Sequence, residues 1–162
     1  MKTALMLCAA QLFASAASAD DLEATLSKHG QFGRLLAAFD HAGLAKLLRQ
    51  PGPYTIFAPT DAAFAALSPE RAERLSKPVR RGDLERLLGY HVVVGTVGAG
   101  DWRERRISVR SMAGMPLMIE GERGRVSVND ARASHTDIGA DNGVIHVIDR
   151  VLTPPVPFTP RT

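Results

Sequence analysis

Few residues in this chain have both the type and the spacing to do chemistry. His135, Asp137 and Asp141 lie close together and His146 follows. Imidazole and carboxylate are ligands for zinc or manganese. No two of these four share a recognised ligand spacing, and two turns are predicted among them, so no metal site is expected. Ser134-His135 has the residue types of a nucleophile and its base. Neighbouring residues of a strand point to opposite faces, so no such pair is predicted. There is no G-x-S-x-G elbow and no phosphate-binding glycine loop. The expectation is a chain without catalytic residues, cofactor or metal. Arg81-Gly82-Asp83 spells an integrin-recognition tripeptide. Recognition of that kind needs an extended, exposed loop, whereas Asp83 also suits a helix cap.

Charge and cysteine narrow the field further. The chain of 162 residues carries 20 Lys plus Arg against 17 Asp plus Glu. Its basic runs, Lys77 to Arg86 and Trp102 to Arg106, are interrupted by Asp83, Glu85 and Glu104. A surplus this small gives no nucleic-acid signature. Residues 1–19 read as a cleavable signal peptide: Lys2, an apolar stretch from Ala4 to Phe13, then Ala17-Ser18-Ala19. That apolar stretch is too short for a permanent membrane span. Cleavage would leave 143 residues, enough for one domain with a real core. It would also remove Cys8, the single cysteine, leaving a domain held by packing without disulfides. The expected boundaries are 1–19 leader, 20–154 domain and 155–162 proline-rich tail, with the product secreted or periplasmic and monomeric.

The elements that must position these residues run helices first, strands later, which predicts an α+β class. Asp20 to Gln50 reads helical, with Phe32, Leu35, Leu36 and Phe39 on one face and a joint at Gly43. Pro51-Gly52-Pro53 stops it. Tyr54 to Ala58 is a short buried strand. Thr60 or Asp61 caps the next helix, anchored by Phe64 and Leu67. Pro69 opens another short helix, and Leu84, Leu87 and Leu88 mark one more, ended by Gly89. Tyr90 to Val94 is extended. Arg106–Ser111, Met115–Glu120 and Arg125–Asn129 alternate as hairpin-connected strands, with a turn over Gly121 to Gly124. Asp141-Asn142-Gly143 turns into Val144–Leu152, a strand predicted to be central and long enough to bend.

Two segments then stand out together: Tyr54 to Leu67 and Asn142 to Leu152, with Tyr90-His91 between them. Their order and spacing resemble the fasciclin family, with its two boxes and intervening tyrosine–histidine motif. The resemblance spans about Phe32 to Leu152. It implies a β-sandwich or wedge of about seven strands with packed helices, and a non-catalytic extracellular adhesion or matrix module. Asp61 stands where many relatives carry asparagine. The box residues Thr55, Phe57, Ala58, Pro59, Thr60, Asp61, Phe64, Asn142, Gly143, His146 and Asp149 are expected to build scaffold. Phe57 and Phe64 would fill core on either side of the proline corner. His146 would take a hydrogen-bond partner from a neighbouring strand or the Asp61 loop, and Asp149 would tie the strand edge. Animal relatives contact integrins through the region matching Tyr90, His91, Val92 and Val93, which makes these the partner-binding candidates.

Two functions follow as expectations. The first is contact with a surface protein or polysaccharide. The alternative is carriage of an apolar lipid or pigment, suggested by Met112, Met115 and Met118 with Trp102 before them, because methionine suits adaptable apolar surfaces. The alanine, arginine and glycine bias points to a bacterial source.

Overall fold

The computed structural model describes residues 20–76 and 81–155. The predicted leader, the Lys77–Arg80 part of the first basic run, and the tail beyond 155 lie outside them. Three short helical pieces make up the helical segment read between Asp20 and Gln50. They are α1 (Leu22–His29), α2 (Gly33–His41) and a 3-10 turn (Ala45–Arg49). Asp21 caps α1, accepting from Ala24 N at 2.8 Å. Gly30, at φ +67°, ends it in the left-handed conformation that glycine adopts without penalty. The joint at Gly43 is present, and Gly30 adds a second.

Strand β1 (Tyr54–Pro59) follows, then α3 (Asp61–Ala65), α4 (Pro69–Ser76) and α5 (Arg81–Tyr90). Pro69 opens α4 as expected. After β2 (Val92–Val94), a four-residue helix α6 (Ala99–Trp102) interrupts a region that reads as strand. Then come β3 (Arg106–Arg110), β4 (Pro116–Glu122), β5 (Arg125–Val128), β6 (Ala131–Ala140) and β7 (Gly143–Ile148). The β4–β5 turn is only Arg123-Gly124, both at positive φ, the geometry that matches strand twist in a two-residue hairpin. β7 ends at Ile148 rather than Leu152, because Asp149 leaves the strand to bond Arg132 through both its side chain and its N–H.

The seven strands form one sheet in the order β2-β1-β7-β6-β5-β4-β3. β1 and β7 are parallel and central, with Phe57 opposite His146. A flat sheet would hold its ends six strand steps apart, about 29 Å. Instead Met112 N, just beyond β3, donates to Val92 O of β2 at 2.7 Å, and Ala113 N reaches Gly89 O. The sheet therefore folds over on itself into the expected sandwich-like wedge, built from one continuously paired sheet. Register irregularities in β6 between Ala133 and Ile138 supply the bend.

Folding over creates two cores. Alternation sends Ile56, Ala58, Ile145 and Val147 to one face, against Leu26, Phe39, Phe64 and Leu88 of the helices. It sends Phe57 and Ile148 to the other, against Leu117, Ile119, Val128 and Trp102. β1 and β7 are thus buried on both faces, which explains their unbroken apolar sequence. Phe57 and Phe64 lie in different cores, one on each side of the Pro59 corner.

Candidate functional site

The box residues converge where β1 and β7 lie side by side. Thr60, not Asp61, caps α3, its hydroxyl accepting from Ala63 N at 3.2 Å. Asp61 serves another helix: its Oδ1 accepts from Arg34 N at 2.8 Å in the first turn of α2. α2 has no capping side chain of its own. Thr55 is fully buried, donates to Gly95 O at 2.7 Å and accepts from Val97 N at 2.9 Å. Asn142 is a three-way tie. Its Oδ1 accepts from Leu22 N, and its Nδ2 donates to Leu48 O and Gln50 O, all at 2.8–2.9 Å. Gly143 allows backbones to touch, since a Cβ there would sit 2.0 Å from Tyr54 O.

His146 of the second box and His91 of the intervening motif are both buried and satisfied at both nitrogens. His146 accepts from Asp137 N at Nδ1 (3.1 Å) and donates from Nε2 to Val97 O (2.7 Å). Its ring stacks on Phe57 and meets Trp102 edge-on, centroids 5.4 and 4.7 Å away. The neighbouring strand supplies one partner and the 95–98 loop the other; the Asp61 loop supplies none. His91 donates from Nδ1 to Leu87 O (2.8 Å) and accepts from Leu152 N at Nε2 (2.9 Å). Burial pushes His91 down to about 4, and burial likewise lowers His146 despite its bond to Val97 and the nearby Asp137. Both rings are neutral spacers that clip loops to the sheet.

The partner-binding candidates are placed differently from expectation. Tyr90, His91, Val92 and Val93 are all buried. The Tyr90 hydroxyl donates to Pro116 O and accepts from Asn129 Nδ2 at 2.9 Å, joining α5 to the β4–β5 layer. Val92 faces the helical core and Val93 the sandwich core. Only Val94, 67% exposed, reaches solvent. A branched apolar run at the end of a helix looks like a surface patch in sequence; here α5 delivers it straight into the β2 position. Arg81-Gly82-Asp83 forms the first turn of α5, so it is helical rather than extended.

His135, Asp137 and His146 come near one another on β6 and β7, but His146 has no free nitrogen and Asp137 Oδ1 accepts from Ala99 N. Among the described residues, no group of three metal-ligating side chains converges. The bend in β6 does bring the Ser134 hydroxyl to 3.3 Å from His135 Nδ1, which simple strand alternation does not predict. Both side chains are exposed and line none of the described clefts.

The described surface includes three clefts of interest. One, about 890 Å3, lies at the Asn142 corner between Asp21, Arg49, Pro53 and Asp141. Three of its charges are committed: Asp21 caps α1, Arg49 pairs with Glu23 at 2.7 Å and Asp20 pairs with Lys28. A second, about 450 Å3, adjoins it near Lys28 and Ile138. The third, about 220 Å3, lies between α6 and the β4–β5 hairpin and includes Trp102, Arg103 and Arg125. Sequence reading missed this third site, because α6 was not legible and Trp102 read only as an apolar neighbour of the methionines. None of the three clefts is lined by Met112, Met115 or Met118.

The profile of the fasciclin domain matches residues 30–154. The chain belongs to the fasciclin domain family. Its fasciclin domain is 42% identical over 125 residues to the Synechocystis protein sll1483, covering 77% of this chain and 68% of that one. It is 36% identical over 135 residues to the pig transforming growth factor-beta-induced protein ig-h3, covering 80% of this chain but only 19% of that much longer protein. In three dimensions it resembles a FAS1 domain pair from the insect cell adhesion molecule fasciclin I. The TM-score is 0.74 at 16% identity, covering 83% of this chain and 51% of that one. The fasciclin fold, α+β with a seven-stranded sheet, is therefore shared. No helix among the described residues is long and apolar enough to cross a membrane.

Proposed function

We propose that the chain is a non-catalytic, extracytoplasmic binding module that contacts a surface or matrix polymer. The observation that carries this reading is how the residues of the boxes and of the motif between them are spent. Both buried histidines hold backbone groups with both ring nitrogens. Asn142, Thr55 and Asp61 are likewise committed to backbone. A scaffold so occupied leaves recognition to the surface around it. Membership in a family known from adhesion proteins supports the same reading, and the predicted leader supports export. The test is a glycan and matrix-protein array probed with the full chain. Saturable binding to a polymer recovered chemically intact supports the module; its failure to bind any polymer above background would count against it.

Carriage of an apolar molecule is the second reading. Met112 and Met118, 46% and 42% exposed, together with Val94, favour it. Chain purified from its own cells and extracted with organic solvent would then yield a stoichiometric lipid or pigment.

A further inference from the structure

The small cleft beside α6 has features that the scaffold does not use. Trp102 is 1% exposed, and its indole Nε1 is buried with no acceptor among the described residues. Trp102 and Gly121 both line the cleft, and a Cβ on Gly121 would lie 3.1 Å from Trp102 Cδ1 and 2.2 Å from its carbonyl oxygen. Gly121 thus lets the β4 backbone approach the indole where the cleft opens. An N–H donor left unpaired in a buried setting is destabilising unless something accepts from it.

The charges around this donor point to the class of acceptor. Arg103 and Arg125 line the cleft, are exposed, and have no carboxylate partner among the described residues. The acidic residues of the same cleft are engaged: Glu104 accepts from Arg123 N at 3.1 Å, and Glu122 pairs with Arg123 at 3.7 Å. Two guanidiniums without a carboxylate partner, lining the same cleft as the unpaired indole, favour an anion with planar oxygens, which arginine binds in a fork. The remaining oxygens of Glu104 and Glu122, with the adjacent Thr136, offer acceptors for hydroxyls. At about 220 Å3, the cleft falls below the range of about 300–1,000 Å3 that drug-sized ligands occupy. It has room for one sugar-sized group.

We propose that this cleft binds a single uronate residue of an acidic polysaccharide. The sugar carboxylate sits between Arg103 and Arg125, and a ring or hydroxyl oxygen takes the Trp102 N–H. The proposal rests on the reading of the chain as a polymer-contact module and names the chemistry of the polymer.

Trp102 is the only tryptophan of the chain, so its indole gives a single side-chain resonance. The full chain is titrated with trigalacturonate while that resonance is followed, with neutral galactotriose and free acetate as comparisons. Trigalacturonate is expected to move the indole N–H and to saturate. Galactotriose and acetate at equal concentration are expected to leave it in place. The surface pair R103A/R125A should weaken the titration at least roughly tenfold with an unchanged circular dichroism spectrum. W102F, which keeps an aromatic ring but loses the indole N–H, is followed by isothermal titration calorimetry instead and should bind trigalacturonate severalfold more weakly than the native chain. An unmoved indole at saturating trigalacturonate, or an equal shift with acetate, overturns the proposal. Should W102F fail to fold, the titrations of the native chain and of R103A/R125A still decide. Polymer binding on the array that survives R103A/R125A would discard this cleft while leaving the module reading intact.

Discussion

Lowering the pH from 7 should destabilise this domain, and His91 sets the scale. In the unfolded chain its imidazole titrates near 6.5. In the folded chain burial holds it at about 4. Between those values the unfolded state binds a proton that the folded state does not, so stability rises with pH across this window and falls as the solution is acidified. Each pH unit is worth about 1.4 kcal/mol, so His91 alone removes about 2 kcal/mol by pH 5 and about 3 kcal/mol by pH 4. His146, also lowered by burial, acts in the same direction. The geometry explains why the fold resists protonation: Nε2 of His91 accepts from Leu152 N, and a proton there would set two donors face to face. Urea unfolding followed by the fluorescence of the buried Trp102 measures the effect at pH 7, 6 and 5. The His91→Gln chain should be less stable at pH 7 but should lose less on acidification. Stability constant within about 0.5 kcal/mol from pH 7 to pH 5, or an equal decline in His91→Gln, would refute this account of the histidine.

Other consequences follow from the box geometry. Asn142→Ala removes three hydrogen bonds to backbone and should cost about 2–3 kcal/mol at about 1 kcal/mol each. Asn142→Asp keeps the acceptor for Leu22 N but loses both donations, so it should also destabilise, as urea midpoints will show. Gly143→Ala places a methyl 2.0 Å from Tyr54 O, which should separate β1 from β7 and leave little folded protein by circular dichroism. Asp61→Ala should cost about 1 kcal/mol through the first turn of α2, whereas Asp61→Asn, which retains the acceptor, should change thermal stability little.

Much of this fold was readable from local pattern. The apolar run of β7, the proline corner after Phe57 and the paired turn residues before Gly143 each state their structure within a few neighbours. Features made by distant contacts were not readable. Ala131–Ala140 has few β-branched residues and becomes a ten-residue strand because β5 and β7 pair with it on either side. Asp61 looks like the cap of the helix it begins, yet it caps α2, 27 residues earlier. Val92 and Val93 look like an exposed apolar patch until the β3–β4 turn closes over the β2 edge. The small cleft was hidden for the same reason, since it exists only once α6 meets the β4–β5 hairpin. Its one local trace is Trp102 among arginines, a pattern that also reads as a solvated basic run.

The central claim is that the boxes are scaffold and that the chain works by holding a polymer at its surface. The most direct measurement incubates the full chain with an array of neutral and acidic polysaccharides, then recovers each polymer and determines its chain length. The account predicts saturable binding to at least one polymer, recovered at its original length. Shortened polymer, or no binding by a chain that instead carries a stoichiometric apolar molecule, would contradict it.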